Sequence, residues 1–157
     1  MNKLSFIIAI IFVFLSSCGN TDEKNADKIV VTNPWIRQAP GNSDLTAGYM
    51  LISNYTNYDD KLINASSNCI DSIKLHTTYI DSKELVRMKM LNSLEIKSGM
   101  SVDLKPGGHH LMMEGFKCKI NNKEIPIKLY FEKYGELTIN AAIKKINEEN
   151  VDHHKHH

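Results

Sequence analysis

Apolar residues along this chain recur at spacings of two rather than three or four, the mark of strands. Ile29-Val30-Val31 is a β-branched run, and Pro34-Trp35-Ile36-Arg37 follows with Pro at a strand start, where its missing N–H is tolerated. Residues 47–52 form a nearly continuous apolar run and read as a buried strand. Residues 54–60 are turn-rich, and 61–65 are short and strand-like. Residues 70–80 alternate, with Ile73, Leu75, Thr77 and Tyr79 on one parity. Further strands are expected over 84–91, 101–105, 109–114, 124–132 and 136–143, with a turn at Pro106-Gly107-Gly108 and a hairpin connection across Lys133-Tyr134-Gly135. Roughly nine short strands with no convincing helix argue an all-β sandwich or barrel.

Both ends break this pattern. After Met1-Asn2-Lys3, residues 4–15 are almost entirely apolar. A stretch of about twelve is the length of a signal-peptide core and falls short of the roughly twenty needed to span a bilayer. It ends Leu15-Ser16-Ser17-Cys18, which resembles a bacterial lipobox and implies cleavage before Cys18 with a lipid on its sulfur. The expected layout is a lipoprotein signal peptide over 1–17, a polar lipid-anchored tether over 18–27, one folded domain over 28–143 and a His-rich flexible tail over 144–157. The expected location is extracytoplasmic, on a membrane through the lipid.

Charge and composition then exclude more than they assign. The formal net charge is +1 and no basic run, aromatic-studded basic stripe or phosphate-cradling Gly loop occurs, so nucleic acid is a poor partner. No GxSxG, HExxH or SxxK is present, and the chain does not read as an enzyme. With Cys18 assigned to lipid, Cys69 and Cys118 are an even pair in an oxidising compartment. They fit a disulfide or two buried free thiols, and their spacing fits no CxxC motif.

Seven His and seven Met are the informative inventory. In Gly108-His109-His110-Leu111-Met112-Met113, residues two apart share a strand face. His110 and Met112 therefore point one way, Leu111 and Met113 the other. An imidazole beside a thioether, with no nearby thiolate, is a soft neutral donor set that suits Cu(I) and suits Ca²⁺, Mg²⁺ or Zn²⁺ poorly. Taken alone, the segment equally fits Met112 and Met113 as core with His110 on the surface. His76 lies on the parity opposite Ile73 and Leu75, toward solvent or the sandwich rim. Met88 shares parity with Val86 and reads as core, while Met90, at a strand end, is placed to turn toward a rim site.

Taken together, His76, Met88-Lys89-Met90 and Leu104-Lys105-Pro106-Gly107-Gly108-His109-His110-Leu111-Met112 resemble the periplasmic copper chaperones called PCuAC. So do Asn33-Pro34-Trp35-Ile36-Arg37, Ala47-Gly48-Tyr49-Met50 and Leu129-Tyr130-Phe131-Glu132. The resemblance covers roughly residues 29–143. It implies a cupredoxin-like (immunoglobulin-like Greek-key) β-sandwich, and a Cu(I) site on His76, Met90, His110 and Met112. The spacing on either side of Met90 departs from the family pattern by a couple of residues, which leaves Met88 as the alternative ligand. The implied role is a metallochaperone delivering copper to the dinuclear copper centre of cytochrome c oxidase subunit II, alongside other copper-handling assembly proteins. A blue-copper electron-transfer site would need a Cys thiolate among the His ligands, and neither Cys69 nor Cys118 lies in the His–Met cluster. His153, His154, His156 and His157 offer imidazoles that suit Cu(II) as well as Cu(I), as an accessory site or as a completion of the main one. Two other classes stand beside this reading: a lipid-anchored adhesion or assembly module without metal, indifferent to loss of Met112, and a copper storage or resistance protein sharing every ligand.

Overall fold

The computed structural model describes residues 27–39, 43–118 and 124–145. The expected signal peptide, Cys18, nearly all of the tether and the four tail histidines lie outside the described residues. Ten strands form: β1 (Ile29–Arg37), β2 (Leu45–Asn54), β3 (Asp60–Ser66), β4 (Ile70–Ile80), β5 (Val86–Met90), β6 (Leu94–Ile96), β7 (Ser101–Leu104), β8 (His109–Phe116), β9 (Glu124–Phe131) and β10 (Gly135–Lys144). They hydrogen-bond in the order β5-β4-β8-β7-β2-β1-β10-β9-β3-β6, and β8 also pairs β2. The sheet folds over one core. Ile73, Leu75, Leu111 and Met113 from one half meet Leu62, Ile127 and Leu129 from the other in a single buried cluster. This is the expected all-β sandwich, and the alternation in residues 70–80 is what sends Ile73 and Leu75 inward.

Three elements differ from the sequence expectation. β1 is one strand rather than two pieces, because Asn33 takes a left-handed conformation (φ 49°) and absorbs a bulge between Thr32 and Trp35. Asn tolerates that conformation better than most residues, so Pro34 sits within a bulged strand and not at its start. β6 was not foreseen: three residues are too few to show a period, yet Leu94 and Ile96 are buried. Met88, expected in the core, is 55% exposed, as is the rest of β5. Its apolar parity pointed to the core face, but pairing with Thr78 puts it on the face away from the core. β5 is the edge strand, and no second layer lies over that face among the described residues.

Polar groups close the far side of the core. Asn54 and Asp60 are fully buried in the turn-rich segment. The Asn54 side-chain amide donates to the carbonyls of Tyr58 and Ile96, and its oxygen accepts from the Thr56 N–H and hydroxyl. The Asp60 carboxylate accepts the backbone N–H of Lys61, Lys133 and Tyr134, tying β3 to the β9–β10 turn. Of the two alternatives open for Cys69 and Cys118, the structure has the disulfide, which joins the start of β4 to the end of β8.

Candidate metal centre

The His–Met cluster is assembled by register. β4 lies between β5 and β8, and His76 stands opposite Met90 on one side and His110 on the other. Opposed residues share a sheet face, so all three side chains lie on the face away from the core. The next row on that face holds Lys74, Met112 and Ala47, and the row beyond His76 holds Thr78 and Met88. The Leu91 N–H donates to the Leu75 carbonyl, which makes His76 and Met90 a non-hydrogen-bonded pair, where side chains approach most closely. The parity argument for His110 and Met112 therefore holds.

Gly108 orients the first imidazole. Lys105-Pro106-Gly107-Gly108 is a tight turn closed by the Gly108 N–H on the Lys105 carbonyl, with Gly107 at φ 77°. Pro at the second position and a positive φ at the third make it a type II turn. The turn leaves the Gly108 carbonyl facing β4, where it accepts the Thr78 N–H and meets His110 Nδ1 at 3.1 Å. A carbonyl only accepts, so Nδ1 carries the proton and Nε2 presents its lone pair. Metal-bound histidines are commonly fixed in this way. His110 is 4% exposed and so is not on the surface, where the segment taken alone also allowed it.

His76 is held by no such bond among the described residues. Its ring centroid lies 5.9 Å from that of His110 at 55°. With metal–nitrogen bonds of about 2 Å, two imidazoles on one ion place their centroids roughly 5–6 Å apart, so the spacing suits a shared ion. Nδ1 of His76 is buried without a hydrogen-bond partner among the described residues, a cost that a ligand on that ring would remove. Burial, then the charges of His110 and Lys74, hold the His76 pKa below the ordinary histidine value. The neutral, metal-competent imidazole is thereby favoured. His109 also has a buried Nδ1 without a partner, but it pairs with Thr77 on the opposite face and does not join the cluster.

His110, Met112 and Met88 line one groove of about 420 Å³, together with Tyr49, Arg37 and Thr78. Met90 borders a neighbouring groove beside Leu91 and Asn92 instead. Register therefore favours Met90, directly across from His76, whereas the groove as it stands contains Met88. A thioether side chain has three rotatable bonds, so either sulfur can swing toward the imidazoles. Sequence reasoning assigned no role to the Gly108 carbonyl, to Lys74 or to the Arg37–Tyr49 wall. Arg37 lies over the Tyr49 ring, which stacks on Trp35. Gly108 is two residues from His110 in the chain, but only strand pairing puts Lys74, Arg37 and Tyr49 near it, and nothing in the linear sequence reports that.

Fold and rim together define a small β-sandwich with an imidazole–thioether cluster at one edge. Residues 29–143 match the family described as "LpqE-like: Putative lipoprotein LpqE-like", and the chain belongs to that family. "Putative lipoprotein Lxx21020" of Leifsonia xyli subsp. xyli is 24% identical over 142 residues, covering 90% of this chain and 84% of its own. Among solved structures, the copper-bound PCuAC domain from PmoF2 is similar with a TM-score of 0.62 and 26% identity, over 76% of this chain and 95% of that one. The solution structure of CuI-DR1885 from Deinococcus radiodurans shares the fold, with a TM-score of 0.59 and 24% identity over 77% and 79%. The PCuAC resemblance and the cupredoxin-like β-sandwich it implied are thus what the comparisons find.

Proposed function

We propose that this protein is an extracytoplasmic Cu(I) metallochaperone that holds one ion on His76, His110, Met112 and a β5 thioether, Met90 with Met88 as the alternative. One observation carries the reading. The Gly108 carbonyl fixes His110 with Nε2 free, in a groove shared with thioethers and across from a second, unanchored imidazole. The copper named in the PmoF2 and DR1885 structures supports the choice of metal. Neutral ligands at an exposed edge favour carriage by ligand exchange over catalysis. We further assign Cys18 to a lipid anchor, consistent with the lipoprotein names of the family and relative. Delivery to the dinuclear copper centre of cytochrome c oxidase subunit II follows from the resemblance, and the histidines at 153, 154, 156 and 157 serve as an accessory Cu(II) or Cu(I) site.

The test is a Cu(I) titration against a competing chelator, on the chain with and without residues 144–157 and on His110→Ala/Met112→Ala. One tightly held equivalent in both wild-type forms, lost in the double variant, is expected. No binding by the shortened chain would move the site to the tail. No binding by either form would leave the metal-free adhesion module as the better reading.

A further inference from the structure

β5 is an edge that leaves its metal face undefended. The hydrogen-bonded positions of the β4–β5 pair are 75/91, 77/89 and 79/87, following from the Leu91-to-Leu75 bond and an unshifted register. The backbone N–H and C=O of Val86, Met88 and Met90 therefore point away from β4, and no strand lies beyond them among the described residues. Native proteins usually guard such an edge with charge. Here both cations of the strand are engaged: Arg87 pairs with Asp81 at 3.0 Å, and Lys89 lies over the Tyr79 ring. On the other face Val86, Met88 and Met90 are 69%, 55% and 57% exposed, with Ile80 beside them at 72%. Charge on this hairpin is one-sided. Once Arg87 pairs with Asp81 and Asp71 with Lys117, Lys74, Lys83 and Lys89 stand against Glu84.

We propose that this edge takes an extended, acidic segment of the copper acceptor as an added strand, with soft donors at every second residue. The proposal rests on the copper reading above and names how the ion leaves. An added strand lies about 4.8 Å from β5, and its alternate side chains stand beside Met88 and Met90 on the metal face. Transfer then breaks one copper–thioether bond to this chain as one bond forms to an incoming thioether. No electron moves, and neutral thioethers release no proton. The unpaired main-chain groups hold the segment, and the lysines select for acidic residues between the donors.

The probe is a nine-residue peptide with Met at every second position and Asp, Glu and Thr between, beside the same peptide N-methylated at alternate residues to block main-chain pairing. Both are titrated into the full-length chain, copper-free and Cu(I)-loaded, with amide hydrogen exchange recorded. The plain peptide is expected to bind about tenfold or more tightly than its N-methylated form, to protect the amides of Val86, Met88 and Met90, and to withdraw copper faster. Val86→Pro removes one outward N–H, where an edge strand tolerates proline, and is expected to lose this advantage with Cu(I) affinity unchanged. Equal behaviour of the two peptides, or protection elsewhere, overturns the proposal. Self-association through β5 that the peptide does not displace also overturns it, in favour of a second copy. Copper-free binding reads the edge and the chelator titration reads the metal, so the two proposals fail separately.

Discussion

At the scale of single residues, the two histidines divide the work. His110 is preset by the Gly108 carbonyl, while burial, then the electrostatic influence of His110 and Lys74, lowers the His76 pKa and favours its neutral form. An ordinary imidazole is half protonated near pH 6.5, and a proton competes with Cu(I) for the same lone pair. A lowered pKa moves that competition to more acidic solution. The part of the decline in Cu(I) affinity that comes from protonating His76 is thus expected at lower pH than an ordinary imidazole would give. Lys74→Gln removes one of the lowering charges, so its decline begins at higher pH. Chelator competition between about pH 5 and 8 reads the midpoint, and equal midpoints for the two proteins would refute the electrostatic account. The β5 thioether is decided by Met90→Leu beside Met88→Leu. Loss of about tenfold or more in affinity is expected for the first and little change for the second, and the reverse outcome reassigns the ligand to Met88.

At the scale of elements, periodicity revealed what alternates and hid what does not. The face shared by His110 and Met112 was legible, because parity along one strand is local information. The row that joins His76, Met90 and His110 was not, because register between strands depends on the whole sheet. Met88 shows the limit from the other side: its pattern is that of a core strand, yet register with Thr78 sets it on the outward face of an edge strand. The Asn54–Asp60 segment reads as a turn, yet its function in the fold is to satisfy buried backbone groups of β3, β6 and the β9–β10 turn. Asp60→Ala would leave three part-buried backbone donors without the buried carboxylate that accepts them. A loss of about 2–4 kcal/mol is expected in urea unfolding. A change under about 0.5 kcal/mol would mean that water replaces the carboxylate. Cu(I) affinity is expected to survive, since these residues lie on the core side and not in the metal rows.

At the scale of the whole molecule, what stabilises the sandwich and the residues proposed to hold copper sit apart. The disulfide closes a separation of 49 residues between the start of β4 and the end of β8. Seven residues of extended chain separate Cys69 from His76, roughly 20–25 Å. The proposed ligand rows face outward over a continuous apolar core that contains neither His76 nor His110. The fold is therefore expected to form without copper, and any stabilisation by the proposed ion to reduce to mass action on the folded state. Cys69→Ser/Cys118→Ser is expected to unfold at lower temperature, with about 2–4 kcal/mol lost through the freer unfolded chain. Its Cu(I) affinity should stay within about twofold of wild type where both are folded, because additivity holds for sites this far apart. Paired melting curves with and without one equivalent of Cu(I) decide the matter. An equal copper-induced rise in both proteins means that the rim is preformed by β4, β5 and β8 alone. A rise that vanishes with the disulfide would mean that the bond at the far end of β4 and β8 sets the spacing of His76 and His110, and that an oxidised chain is a condition for carrying copper.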